Sequence, residues 1–341
     1  MSNKLPNHID IDLTSVCNLD CVFCHLHYFD PKEKSFLKYE QFLKLEETFP
    51  YLDKMTLFGK FEPLLCKDFI PIFEKICEYD HIETYFSTNA LLLKEDIIKV
   101  IVGKLKYITV SITGFNDDTY KKYMGKSSLS QLKQNLTLLN EYKKKNNTQY
   151  PLLRISTVGM IDTLKDLEKA VDFAKEFDAK EGIQLTSFIA YSKDMENQIL
   201  KTDESYFKQR VSDVLLYANK HKVKFKLQSG DFEENHNETS AIGHKDCTMP
   251  WERVSIQPDG EVYPCPVATH SIGNFFNSSI PEIFNSEKMK TFRKGVNNVE
   301  NMNADCSRCM HCRHKSINND ESNSCSDIDT LFTQMVRKQN K

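Results

Sequence analysis

The chain has 341 residues, a formal net charge of −3, 40% apolar residues with 22 Phe and 14 Tyr, and 11 cysteines. That length suits one large domain, or a main domain with a smaller one, and supports a sizeable core. The charge gives no general pull toward nucleic acid or an anionic membrane, and apolar runs such as Ile97–Val102 are far too short to span a bilayer. Met1 to Asp10 contains no apolar secretory segment, so a cytoplasmic protein is expected. Thiols stay reduced there, and the clustered cysteines read as metal ligands in an oxygen-sensitive protein.

Short β-like runs are expected at Ile9–Thr14, Lys54–Phe58, Ile82–Ser87, Tyr107–Thr113, Leu152–Gly159, Gly182–Phe188 and Val223–Gln228. Amphipathic helical stretches fall between them, at Tyr39–Phe49, Asp68–Glu78, Lys94–Lys104, Ser128–Lys145, Leu164–Glu176 and Glu204–Lys220. The run Lys143–Lys145 reads as a solvated helix face. Strands alternating with helices of ten or more residues imply βαβ units on a parallel sheet. The fold class is therefore α/β, with residues 1–230 forming a partial, TIM-like (β/α)6 barrel. Residues 231–246 are polar and read as a linker. The cysteine-rich stretch 247–325 reads as a small C-terminal domain. In it Pro258-Asp-Gly260 turns a hairpin between Val254–Gln257 and Glu261–Tyr263, and short helices follow at Ile280–Asn285 and Glu287–Lys294. Residues 326–341 are expected to form a charged helical tail.

Directly after the first strand stands Cys17-Asn-Leu-Asp-Cys21-Val-Phe-Cys24. Its C-x-x-x-C-x-x-C spacing brings three thiolates around one inorganic centre. Three is one short of a closed tetrahedral site, so a position stays open for a ligand to be activated. A zinc knuckle completed by His25 or His27 is the competing reading. In spacing and in the aromatic Phe23, the run resembles the cluster motif of radical S-adenosylmethionine (SAM) enzymes. The resemblance implies a [4Fe–4S] cluster on Cys17, Cys21 and Cys24, with SAM on its open iron and one-electron cleavage to a 5'-deoxyadenosyl radical.

Gly59-Lys-Phe-Glu62-Pro63, closing the second strand, resembles the G-x-G-E-P segment that contacts the SAM amino group in that family. Gly59, Glu62 and Pro63 match, and Phe61 replaces the second glycine. By the same resemblance Ser87, Asn89 and Ser111 offer polar groups to the ribose and carboxylate of SAM. Arg154 on the fifth strand is a candidate partner of the SAM carboxylate or of an anionic substrate, because a guanidinium inside a barrel requires pairing. Gln184 is a lesser candidate. Cys77 reads as a small buried apolar side chain of a helix. Cys66 is weighed as a hydrogen-donating thiol near the radical and set below a structural role.

Toward the C-terminus come Cys247, Cys265 in Gly260-Glu-Val-Tyr-Pro-Cys265, Cys306-Ser-Arg-Cys309-Met-His-Cys312, and Cys325. The spacing C-x-x-C-x-x-C signals metal but leaves zinc and iron–sulfur open. The whole pattern resembles the SPASM auxiliary-cluster modules and their shortened Twitch form. It implies at least one auxiliary [4Fe–4S] cluster on Cys247, Cys265, Cys306 and either Cys309 or Cys312, with Cys312 and Cys325 as a partial second site. An auxiliary cluster that accepts an electron favours net oxidation of a small sugar- or aminocyclitol-like substrate. The single-cluster spacing resembles the Twitch dehydrogenase of the butirosin pathway. Peptide or protein maturation is the alternative, and a non-catalytic Fe–S or zinc scaffold the remote one. The expected electron donor is a flavodoxin or ferredoxin, and neither nucleic acid nor membrane is expected as a partner.

Overall fold

Polar and apolar residues alternate along the first strand, β1 (His8–Ile11), and this alternation sets the two faces of the sheet. Ile9 and Ile11 join the main apolar core, while His8 and Asp10 pair with each other on the opposite face. The computed structural model describes residues 5–28, 33–57, 60–188, 190–227, 247–298 and 300–309. Further strands are β2 (Lys54–Thr56), β3 (Glu83–Thr88), β4 (Tyr107–Ser111), β5 (Leu152–Gly159), β6 (Gly182–Ser187) and β7 (Phe225–Leu227). Then come β8 (Arg253–Ile256), β9 (Glu261–Tyr263) and the short β10 (Gly273–Asn274).

These strands form one sheet in the order β10-β9-β8-β1-β2-β3-β4-β5-β6-β7. Pairing from β8 through β7 is parallel, and β9 and β10 add antiparallel at the far edge. The architecture is the expected partial barrel with helices on its outer face. Its C-terminal hairpin is not a separate layer: β8 lies against β1, with His8 opposite Arg253 and Ile11 opposite Ile256. Arg253 also reaches Asp10 at 3.4 Å, so a charge pair reinforces the junction on the inner face.

Helices Phe69–Ile76, Glu95–Ile101, Leu129–Lys145, Leu167–Glu176 and Glu204–Lys220 fall where the apolar periodicity puts them. Two expectations need correction, and one element is additional. The helix expected at 39–49 is one α-turn, Tyr39–Phe42, continuing as a 3-10 segment Leu43–Tyr51 that contains Pro50. Lys143 is buried rather than solvated, and burial lowers its pKa. A helix at Asp117–Met124 was not foreseen. Asn116 caps it by accepting the Thr119 N–H at 2.9 Å, and Gly125 ends it in the left-handed conformation at φ 77°. Its unlabelled composition, with few apolar residues, hid the periodicity, although the Asn–Gly bracket was there to read.

Because β8 carries the chain between Cys247 and Cys265, breaking its ladder should detach the second cysteine group selectively. Val254→Pro removes a backbone donor from an interior strand. The expected outcome is protein whose iron content, measured after anaerobic reconstitution, falls toward that of a single cluster while the first site stays loaded.

Candidate functional site

The loops after β1 to β6 all open at one end of the barrel, where the first cysteine run lies. Glu62, 2% exposed, binds this end together. Its Oε1 accepts the Leu64 N–H at 3.2 Å and the Thr88 hydroxyl at 2.7 Å, and its Oε2 accepts the Asn89 N–H at 2.8 Å. Its own N–H donates to the Val16 carbonyl at 3.1 Å, directly before Cys17. Asn89 then donates through Nδ2 to Asn18 at 2.7 Å, with Cys17 Sγ at 3.9 Å. One carboxylate thus locks the loops after β1, β2 and β3 into a single frame. Burial pushes the Glu62 carboxyl up to about 7, against the lowering effect of its hydrogen bonds to Asn89, Thr88 and Leu64. The Glu62 oxygens are engaged by the protein itself, which gives this carboxylate a positioning role in the segment expected to contact SAM. Pro63 starts the 3-10 turn that follows, while Gly59 lies outside the described residues.

The unforeseen helix Asp117–Met124 supports the cysteine run from behind. Val22 donates its N–H to Tyr123, the Lys126 ammonium donates to the Asn18 carbonyl, and Cys21 Sγ lies 3.9 Å from the Met124 carbonyl. A Cβ at Gly125 would overlap the Asp20 backbone, so the close approach requires glycine. Phe23 packs with Val22 against Tyr123, Met160 and Phe188. Burial is the largest cause raising the thiols of Cys17, to about 11, and of Cys21 and Cys24, and the Cys24 charge adds to it at both Cys17 and Cys21. Three buried thiols that repel one another once ionised call for a positive group between them. Of the imidazoles weighed for zinc, His27 Nδ1 sits 2.6 Å from Asp20, whereas His25 Nδ1 lies 3.7 Å from Cys24 Sγ with its ring edge-on to Phe61 and Tyr191. Phe61, in the place of the family's second glycine, thus borders the Cys24 loop.

Ser87 and Ser111 lie on the inner face; Ser87 donates to the Thr109 carbonyl at 3.4 Å, and Ser111 stands opposite Ser156, which neighbours Gln184. For Arg154 the structure differs from expectation, and for Cys66 it agrees with the structural role set above hydrogen donation. Arg154 Nη2 lies 3.8 Å from Glu181 at the base of β6, so its charge is answered within the barrel wall, away from the cysteine loop. Cys66 is buried, and its thiol points at the Leu37 carbonyl at 3.4 Å, which makes it a core residue. Cys77 packs at the end of helix Phe69–Ile76.

In the second group, burial pushes Cys265 up to about 12 and Cys306 up to about 11, and raises Cys247. Cys265 and Cys306 feel both Cys247 and Cys309, so four thiols share one neighbourhood. Asp305 fastens it by accepting the Thr269 N–H at 3.1 Å and hydroxyl at 2.6 Å, and Asn297 accepts the Cys247 N–H at 3.0 Å. Cys309 stands beside the other three thiols, while Cys312, the other thiol left open as the fourth, and Cys325 lie outside the described residues.

On the inner face of β1, β8 and β9 is a cavity of about 130 Å³, lined by Asp10, Asp12, Lys60, Ser255, Gln257 and Tyr263, and bounded by Pro266 next to Cys265. Asp12, Lys60 and this cavity went unnoticed in the sequence. Their signal was the alternation Ile9-Asp10-Ile11-Asp12-Leu13, which sets two acids on the inner face of the first strand.

The Radical SAM superfamily matches residues 11–174, and the SPASM iron–sulfur cluster-binding domain matches residues 247–313. The chain carries a radical SAM domain followed by a SPASM domain. Among curated proteins, this radical SAM/SPASM chain is 23% identical over 261 residues to a probable GTP 3',8-cyclase of Methanocaldococcus jannaschii, spanning 75% of this chain and 83% of that protein. A probable GTP 3',8-cyclase of Saccharolobus islandicus is 31% identical over 118 residues, covering 34% and 37%. Among solved structures, native anSMEcpe with bound AdoMet superposes at TM-score 0.67 and 18% identity, covering 98% of this chain and 99% of that one. SuiB of Streptococcus suis bound to S-adenosylmethionine superposes at TM-score 0.66 and 17% identity, covering 91% and 72%. These likenesses show the fold. The two domains bring with them [4Fe–4S] clusters and SAM as cofactors.

Removing the Glu62 carboxylate leaves three buried donors without an acceptor, each costing about 1–3 kcal/mol. Glu62→Ala should therefore lower the unfolding free energy by at least about 3 kcal/mol, read by denaturant unfolding, and should weaken SAM binding measured by anaerobic calorimetry.

Proposed function

We propose that the chain is a radical SAM dehydrogenase of a small, polar, hydroxylated molecule. In this reading Cys17, Cys21 and Cys24 hold the SAM-binding cluster. Cys247, Cys265, Cys306 and Cys309 hold one auxiliary cluster. Residues 1–230 form the radical-generating unit, and 247–325 the auxiliary module. When bound, the cofactors supply a 5'-deoxyadenosyl radical that takes a hydrogen atom from a carbinol carbon and an auxiliary cluster that takes the remaining electron, the proton leaving to water. The chain's own residues bind and orient. Asn89 and the inner-face Ser87 and Ser111 line the approach to SAM, Phe23 backs the cysteine loop, and Glu62 fixes the frame.

The observation that carries the substrate class is the cavity's place and size. It runs from Lys60, in the loop after β2, to Pro266, next to Cys265, and is small, with mostly polar residues in its lining. Peptide maturation is the second reading, favoured by the peptide-bound form of the anSMEcpe neighbour. A nucleoside triphosphate, the substrate named by the curated relatives, suits the cavity less well, since two carboxylates there face one lysine. A cytoplasmic enzyme fed by a flavodoxin or ferredoxin completes the proposal.

Anaerobically reconstituted protein with dithionite and SAM should release 5'-deoxyadenosine, and Cys17→Ala, Cys21→Ala and Cys24→Ala should each abolish it. With a panel of polyols, amino sugars, GTP and peptides, mass spectrometry should show a loss of two mass units on a polyol or amino sugar. A modified peptide, or a cyclised nucleotide, would instead sink the small-molecule reading.

A further inference from the structure

Two opposite charges, Asp12 and Lys60, face the cavity, and neither forms a contact ion pair there; each is answered only at a distance, by the other. Asp12 is only 6% exposed. One of its oxygens accepts the Lys60 backbone N–H at 3.0 Å, but among the described residues no cationic side chain comes within 4.0 Å of the carboxylate. Asp10, two residues earlier on the same face, is by contrast paired with His8 at 3.2 Å and Arg253 at 3.4 Å. The Lys60 ammonium likewise has no described carboxylate within 4.0 Å. Burial lowers the Lys60 pKa and raises that of Asp12 to about 6, and each group's charge acts on the other in the opposite direction. The two therefore share one space without touching.

Buried charge without a contact partner is costly, and a fold that keeps two such groups of opposite sign around one void is complementary to a ligand that carries both signs. The void also limits the ligand's size. A cavity of about 150 Å³ takes a six-carbon ring, so the 130 Å³ here suits a molecule of similar size. Ser255, Gln257 and Tyr263 add neutral hydrogen-bonding groups on the far wall.

We infer that the cavity binds a small hydroxylated amino acid as its zwitterion, the ammonium against Asp12, the carboxylate against Lys60 and the hydroxyl toward Ser255, Gln257 and Tyr263. This rests on the small-molecule reading of the site and narrows its substrate class. The amino-acid head of SAM carries the same two charges, so the test must separate the two sources.

The probe is L-serine, titrated calorimetrically into the full-length, anaerobically reconstituted protein already saturated with SAM. Binding in the millimolar range is expected, with ethanolamine and lactate, which carry one charge each, at least about tenfold weaker. Asp12→Asn and Lys60→Met should each weaken serine about tenfold. No serine binding at SAM saturation, serine that competes with SAM, single-charge probes as tight as serine, or binding unchanged in both variants would each overturn the inference. Release of 5'-deoxyadenosine is measured on the same wild-type sample. Cleavage of SAM without serine binding removes this inference alone, whereas absence of cleavage removes the radical reading beneath it.

Discussion

The site depends on one buried carboxylate. Glu62 sits where the loops after the first three strands converge, and it accepts from the backbone of its own turn, from Thr88 and from Asn89. A carboxylate is suited to this task because it has acceptor capacity on two oxygens and makes stronger bonds than a neutral group. An uncharged side chain could satisfy part of the set; the geometry here uses both oxygens. The cysteine loop, which has little secondary structure of its own, inherits its shape from this frame on one side and from helix Asp117–Met124 on the other.

The second cysteine group follows a similar plan with different parts. Asp305 and Asn297 do there what Glu62 does at the first site, tying a cysteine-bearing turn to a neighbouring segment through backbone donors. Both groups keep their thiols in surroundings that disfavour free thiolate, so the cysteines are poised to ionise only when positive charge arrives. The cavity lies on the inner face of β1, β8 and β9. Its own groups without a contact ion pair, Asp12 and Lys60, extend the same theme to the substrate.

Much of this was legible in the sequence. The strand positions, the barrel class, both cysteine groups and the hairpin around Pro258-Asp-Gly260 follow from periodicity, spacing and turn chemistry, which are local properties. What escaped was set by distant partners. Arg154 read as an unpaired cation because Glu181, 27 positions on, becomes its neighbour only through β-pairing. The positioning role of Glu62 was hidden because its three donors come from two different loops. Lys143 read as surface because a run of lysines hides which of them faces inward. Helix Asp117–Met124 was missed because its buried stripe is only Tyr120, Tyr123 and Met124, set among charged residues that mask the periodicity. Asp10 and Asp12 were readable as inward-facing acids, but which of them is paired depends on Arg253, far along the chain.

The parallel pairing of β8 with β1 has a bearing on how the protein is made. The chain emerges at about 5–20 residues per second, so β1 exists for on the order of tens of seconds before β8 can flank it. Throughout that interval one edge of β1 stands unpaired, directly below the first cysteine loop. Strand β2 and the Glu62 frame form early from near neighbours, whereas closure by β8 waits for the long-range contact. The C-terminal hairpin is thus the last part of the sheet that can pair, and with it the second cysteine group is the last to come alongside the first strand.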